Sequence, residues 1–166
     1  ASQRAGSGDW AADFGFRFRP VDVVGLGIGA LGNLVLIQVV YLPLEAIWPS
    51  TFNEERLNEN ARDLVGLVDG GSTVLLFVMV AVGAPFAEEL LYRGLLQRSL
   101  AARFNEVLVV VAVAAVFALV HFRPVEYAGL FAIGLVFGVA ALRTGRLGLA
   151  IMIHVGFNAT GLLRAL

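Results

Sequence analysis

The stretch APFAEELLYRGLLQ, residues 84–97, places charged side chains at the end of a long apolar run that begins at Gly70. Two adjacent carboxylates, Glu88 and Glu89, are followed by Arg93. Three ionisable residues exposed to lipid at mid-membrane would cost about 8–10 kcal/mol. They therefore face protein or water, unless this segment is the cytoplasmic end of a membrane helix, where charges are solvated.

The composition around this stretch is that of a membrane protein. Hydrophobic residues make up 58% of the 166 residues, more than in an ordinary soluble domain. The net charge of −1 provides no basic surface for nucleic acid. The absence of cysteine excludes disulfides, thiolate metal ligands and a cysteine nucleophile.

Five apolar runs predict five membrane-spanning helices. The first run is free of charge over 22 residues, the length of one membrane span. The runs are residues 23–44, 70–87, 107–122, 127–142 and 147–163. The sequence therefore predicts an all-α membrane protein, a polytopic bundle in which residues 21–166 form one membrane-embedded domain.

Two further segments flank or interrupt the spans. Residues 1–20 are predicted to be an N-terminal surface tail, with aromatic side chains at the interface and arginines against headgroups: Trp10, Phe14, Phe16, Arg17 and Arg19. Residues 51–68 repeat apolar side chains at three- and four-residue steps, which predicts an amphipathic helix lying on the membrane. Thr51 and Glu54 fit a capping box at its start.

The arginines predict the orientation. With a cytoplasmic N-terminus, six arginines fall on the cytoplasmic side of a multi-pass protein of the cell membrane: Arg17, Arg19, Arg98, Arg103, Arg143 and Arg146.

Helix geometry separates the two carboxylates. Glu89 and Arg93 are four residues apart and share a helix face, so we expect them to pair. Glu88 is displaced by about 100° around the helix and is left free for another role.

The only two histidines also lie in apolar runs. His121 follows Phe117 by four residues and shares its face, although a lone histidine in such a helix is most often a packing residue. His154 and Asn158 form a polar strip on the last helix, for which hydrogen bonding between helices is the alternative explanation.

Three motifs occur in order: EELLYR (EExxxR), FALVH (FxxxH) and HVGFN (HxxxN). In this order, on apolar helices, they resemble the CPBP intramembrane proteases, a family that includes type II CAAX-processing endopeptidases and bacteriocin-immunity proteins. The resemblance covers residues 70–163, which would be the catalytic core. Glu89 and Arg93 would be the second glutamate and the arginine of the first motif.

The resemblance implies an intramembrane endopeptidase that cleaves a peptide or membrane-protein substrate. Glu88 and His121 would activate a water, and His154 and Asn158 would stabilise the oxyanion. The chemistry of the residues agrees, since peptide hydrolysis needs a base for the water and donors for the developing charge.

Zinc is a possible cofactor, held by Glu88, His121 and His154 if it is present. The HExxH motif is absent, and we favour a mechanism that needs no metal.

The alternative from another class is a non-catalytic scaffold or accessory subunit of a larger membrane complex, with partner subunits in the bilayer. A small transporter is a weaker alternative, because the sequence has no internal repeat.

Overall fold

Seven helical stretches joined by short turns make up the described part of the chain, which in this computed structural model comprises residues 6–68 and 70–166. No strand occurs within these residues, so the all-α prediction is confirmed. Residues 1–5 of the predicted tail and Asp69 lie outside the described residues. The helices are α1 (Trp10–Asp13), α2 (Pro20–Ile47), α3 (Glu54–Gly66), α4 (Gly71–Ala101), α5 (Glu106–Leu119), α6 (Pro124–Thr144) and α7 (Gly148–Ala165).

Four of these helices, α2, α4, α6 and α7, are long and apolar enough to cross a membrane. Many of their large apolar side chains point outward, Leu42 being 72% exposed and Val74 67% exposed. Lipid would cover such a surface, as expected for a helical membrane bundle. The remaining apolar helix, α5, has 14 residues and a length of about 21 Å, less than the ~30 Å of a hydrocarbon core.

The third predicted span, residues 107–122, is therefore shorter than its apolar run. The helix ends at Leu119, whereas the sequence pattern extends to Phe122. Phe122 adopts a left-handed backbone conformation with φ 53°, which an α-helix does not accommodate. Arg123 precedes Pro124, and the residue before a proline disfavours the helical conformation. As a result, His121 lies in a turn and not on a helix.

The first and last membrane helices approach each other closely through glycines. A side chain at Gly29 of α2 would collide with the backbone oxygen of Ile153 in α7. A side chain at Gly156 of α7 would collide in the same way with the backbone oxygen of Leu26. Small residues at such contacts let helix backbones approach closely, and the resulting van der Waals packing favours association between helices in lipid.

The segment between α1 and α2 docks on the turn between α6 and α7. The backbone N–H of Leu147 donates to Gly15 at 2.8 Å, and Arg146 pairs with the buried Asp22 at 2.5 Å. Arg98, near the end of α4, donates to Gly145 of the same turn at 3.3 Å. These contacts gather the arginine-rich helix ends at one end of the bundle, here called the arginine end. Which membrane side this end faces stays a prediction.

Helix α3 confirms the predicted amphipathic helix and lies at the other end of the bundle. Its N-cap is Asn53, whose side chain accepts from the backbone N–H of Arg56 at 3.0 Å, so the prediction of Thr51 as the cap was wrong. The N-cap lies two residues later than predicted because Asn53 is the residue with the extended backbone that a cap requires. Leu57, Ala61 and Leu64 form its half-buried face.

Candidate active site

Helix α4 is irregular on both sides of the paired carboxylates. Two π-helical stretches, Val78–Gly83 and Leu90–Gln97, enclose the regular segment Ala84–Glu89. π-helical stretches are rare in proteins, and those that occur often lie at functional sites. The carbonyl of Val80, in the first of them, accepts a hydrogen bond from the Asn158 amide of α7 at 3.0 Å.

Glu89 and Arg93 form a buried ion pair, as their four-residue spacing predicts. Arg93 Nη1 lies 2.9 Å from Glu89 Oε1, and both side chains are 0% exposed. A buried charge without a partner is very costly, so each residue depends on the other. Solvent reaches neither the Glu89 carboxylate nor the Arg93 guanidinium. The pair therefore holds a fixed position against which the surrounding side chains pack.

The guanidinium of Arg93 is enclosed by α5 and α6. It lies 4.7 Å from the ring centre of Phe117 and 5.1 Å from that of Phe137, which are distances for cation–π contact. Its Nη2 donates to the carbonyl of Gly134 at 3.0 Å. The ring faces and the carbonyl oxygen stabilise a positive charge away from water.

One helical turn further along, the buried Gln97 donates to the carbonyl of Gly138 at 2.9 Å. Arg93 and Gln97 are four residues apart, and so are their partners Gly134 and Gly138. Because both pairs advance along the chain together, α4 and α6 run in the same direction. Sequence reasoning missed these α6 partners. Two glycines four residues apart were the available signal, because this spacing marks close helix packing in membranes.

His154 lies directly behind the two carboxylates. Its Nδ1 is 2.9 Å from Glu89 Oε1, and its ring stacks on Phe137 with 4.4 Å between centres. Because an ionised carboxylate only accepts hydrogen bonds, this contact assigns the proton to Nδ1. The other ring nitrogen, Nε2, faces Glu88 Oε2 at 3.8 Å. Glu89 therefore fixes the ring so that His154 approaches Glu88.

The turn after α5 fixes His121 in a similar way. His121 Nδ1 lies 2.7 Å from the carbonyl oxygen of Phe117. A carbonyl only accepts, so Nδ1 donates and Nε2 of the neutral ring keeps a free lone pair. The predicted contact between His121 and Phe117 is thus confirmed. The two rings also pack edge to face, with 4.9 Å between their centres.

A cavity of about 300 Å³ brings three of the predicted residues together. Glu88, His121 and Asn158 all line it, from α4, the turn after α5, and α7. Glu88 is the more open carboxylate, with a side chain 31% exposed, whereas that of Glu89 is fully buried. His154 is 3% exposed and lies behind the cavity wall, with its Nε2 3.8 Å from Glu88 Oε2.

Sequence reasoning also missed the residues that α2 and α3 contribute to this cavity. Asn33 and Tyr41 of α2 line it, as does Asn60 of α3. The hydroxyl of Tyr41 accepts from Gly129 N–H at 3.1 Å and donates to the Val125 carbonyl at 2.7 Å, which ties α2 to the start of α6. Polar side chains on an apolar span were the signal that could have identified them.

The donor geometry does not fit a metal ion. Within residues 6–68 and 70–166, no three His, Asp or Glu side chains form a group that could hold one. Glu88, His121 and His154, the predicted zinc ligands, are therefore not gathered into such a group in this arrangement, and the dependence on zinc stays a prediction.

Comparison with known proteins agrees with the motifs. The model of a family described as type II CAAX prenyl endopeptidase Rce1-like matches residues 70–160. The match covers more than half of the chain and includes Glu88, His121, His154 and Asn158. Comparisons with curated proteins and with solved structures give no match. The chain is a multi-pass membrane protein that belongs to the Rce1-like family of type II CAAX prenyl endopeptidases, a family of proteases.

Proposed function

We propose that this chain is an intramembrane endopeptidase that uses Glu88 as its general base. The observation that carries the proposal is the convergence of Glu88, His121 and Asn158 on one cavity, with the Glu89–Arg93 pair buried behind them. The family supplies the reaction class, hydrolysis of a peptide or protein substrate in the membrane. The residue roles are our own assignment.

Glu88 and His121 share the activation of water. Glu88 takes one proton of a water in the cavity, and His121 Nε2 accepts a hydrogen bond from the other, since Nδ1 is engaged with Phe117. The water oxygen then attacks the peptide carbonyl carbon. When the C–N bond breaks, Glu88 passes its proton to the leaving nitrogen and returns to the carboxylate form.

Asn158 is the better placed of the two oxyanion donors. One N–H of its amide is given to Val80, and the second is available for the developing negative charge. His154 can donate from Nε2 only when its ring is protonated, because the Nδ1 proton is held by Glu89. A donor of this type contributes about 3–4 kcal/mol to the transition state.

Glu89 and Arg93 act as positioning residues. Glu89 Oε1 contacts both Arg93 and His154, and thereby sets the angle at which His154 meets Glu88. Both side chains are fully buried, so a substrate in the cavity beside Glu88 does not touch either residue.

The test replaces Glu88 by glutamine, which keeps the shape but cannot take a proton. Membranes containing Glu88→Gln protein should accumulate substrates that the wild-type protein cleaves, as measured by comparative proteomics of membrane and released peptides. A purified substrate then permits direct assay. Full activity of Glu88→Gln would remove Glu88 as the general base. Unchanged substrate levels in membranes with and without the wild-type protein would favour the scaffold or accessory subunit instead.

Whether the activity requires a metal is tested separately. We expect activity on such a substrate to be unchanged by chelators, with no stoichiometric metal by elemental analysis. Activity that disappears with a chelator and returns with zinc would replace the glutamate mechanism while leaving the protease function in place.

A further inference from the structure

Helix α3 forms part of the wall of the candidate active-site cavity. Leu57, Asn60, Ala61 and Leu64, all on its half-buried face, line the cavity together with Glu88 and Asn158. The helix itself has no buried residue. It therefore covers the cavity as an outer layer and is not part of the packed core.

Two arginines of the bundle hold α3 in this position. Arg164 of α7 pairs with Glu54 at 3.2 Å, at the start of α3. Arg123, in the turn before α6, donates to Asn60 Oδ1 at 2.9 Å and lies 3.8 Å from Glu59. Both arginines also contact groups of the bundle, Arg123 the carboxylate of Glu126 at 2.8 Å and Arg164 the Asn33 oxygen at 3.4 Å. We call Arg123 and Arg164 the two latches.

These latches are weak in physical terms. Both arginine side chains are 30% exposed, and their carboxylate partners on α3 are more exposed still, Glu59 at 60% and Glu54 at 71%. Ion pairs in contact with water stabilise little and are screened by salt. The latches can therefore hold α3 closed without making its release slow.

The cavity has little room for a polypeptide while α3 is closed. An endopeptidase takes polypeptide on both sides of the cleaved bond, whereas about 300 Å³ is at the lower limit of pockets for small ligands. Of the cavity's walls, α2, α4, α6 and α7 are the long membrane helices, and α3 alone among the described lining helices is held without a buried residue.

We propose that α3 is a gate, which swings away from the cavity to admit a polypeptide and is closed by the latches Arg123 and Arg164. The proposal rests on the proposed protease function for its purpose. Asn60 connects the gate to the substrate, because it lines the cavity and its Oδ1 accepts from Arg123. A substrate N–H that takes this oxygen competes with Arg123, so binding of a polypeptide favours release of that latch.

The test measures opening without measuring cleavage. The chain has no cysteine, so Ala84→Cys, on the cavity wall of α4, introduces a single thiol. Its rate of reaction with a bulky water-soluble maleimide reports how often the gate opens. Leu130→Cys, on the α6 wall, is a second reporter in case the first variant does not fold.

Removing both latches as Arg123→Gln with Arg164→Gln should accelerate labelling about five- to tenfold, the effect of losing two partly exposed ion pairs. The matched control is Arg62→Gln, an exposed arginine on α3 itself, which should leave the rate unchanged. Raising the salt concentration should accelerate labelling of the latched protein and should have little effect once the latches are gone.

The charge-exchanged pair Glu54→Arg with Arg164→Glu should restore slow labelling relative to Arg164→Glu alone. Equal labelling rates with and without the latches, for a folded reporter, would show that α3 is a fixed wall and would overturn the gate. That result would leave Glu88 catalysis untouched, and inactive Glu88→Gln protein with normal gating would leave the gate standing.

Discussion

The two adjacent carboxylates differ in what surrounds them, and the difference assigns their tasks. Glu88 borders the cavity, while Glu89 is fully buried and serves Arg93 and His154 together. A sequence records only that they are neighbours. The fold turns one toward substrate and the other toward the core, so replacement of each should damage a different property.

Glu89→Gln should lower stability, in contrast to Glu88→Gln. The change leaves the Arg93 guanidinium buried without a counter-charge, a loss of about 3–5 kcal/mol when a buried pair is broken. Thermal unfolding in detergent should show a clearly lower midpoint for Glu89→Gln and a midpoint near wild type for Glu88→Gln. Equal midpoints for the two variants would refute the anchoring role of Glu89.

Asn158→Ala should slow turnover by about 10²–10³-fold if the amide stabilises the oxyanion. The effect should be in kcat, because the interaction forms with the transition state and not with the bound substrate. Loss of the bond to Val80 also affects packing, so Asn33→Ala, which removes another amide at the cavity wall, is the control. A purely raised KM for Asn158→Ala would contradict the oxyanion role.

At the scale of helices, four-residue spacing along the chain was a reliable guide and contact between helices was not. The Glu89–Arg93 pair and the His121–Phe117 contact follow from four-residue spacing. The bond from His154 to Glu89 joins residues 65 apart, and no periodicity predicts it. The early end of α5 was missed as well, because an apolar run records hydrophobicity and not where the backbone turns.

Gly29→Ala in α2 should destabilise the bundle, since the added methyl group would strike the backbone of α7 and neither helix backbone can give way cheaply. Gly27→Ala is the matched control, because nothing lies within 4 Å of a side chain there. The control should be neutral or stabilising by up to about 1 kcal/mol from helix propensity. The measurement is the thermal unfolding midpoint of each variant, which should be clearly lower for Gly29→Ala than for Gly27→Ala. Similar midpoints would contradict the glycine contact.

At the scale of the whole molecule, the bundle has two chemically distinct ends. The arginine end contains Arg98, which donates to Gly145 in the turn between α6 and α7, and Arg146 of that turn, which pairs with Asp22. The other end contains α3, its latches and the part of the cavity that α3 covers. Positive residues favour the cytoplasmic side, so the orientation predicted from the arginines places α3 and the cavity mouth toward the outer side.

This orientation has a direct consequence for the substrate. A cavity that opens to the outer side receives polypeptide from that side, whereas the inverted orientation would expose it to the cytoplasm. Single cysteines distinguish the two, at the exposed Arg103 beyond α4 and at the exposed Arg62 of α3.

On intact cells, a membrane-impermeant maleimide should label Arg62→Cys directly and should label Arg103→Cys only after permeabilisation. Labelling of both variants on intact cells would contradict the placement of these residues at opposite ends of the bundle. The reverse pattern would keep the bundle and invert it, and the proposed protease would then draw its substrates from the cytoplasm, because the gate and the cavity turn with the molecule.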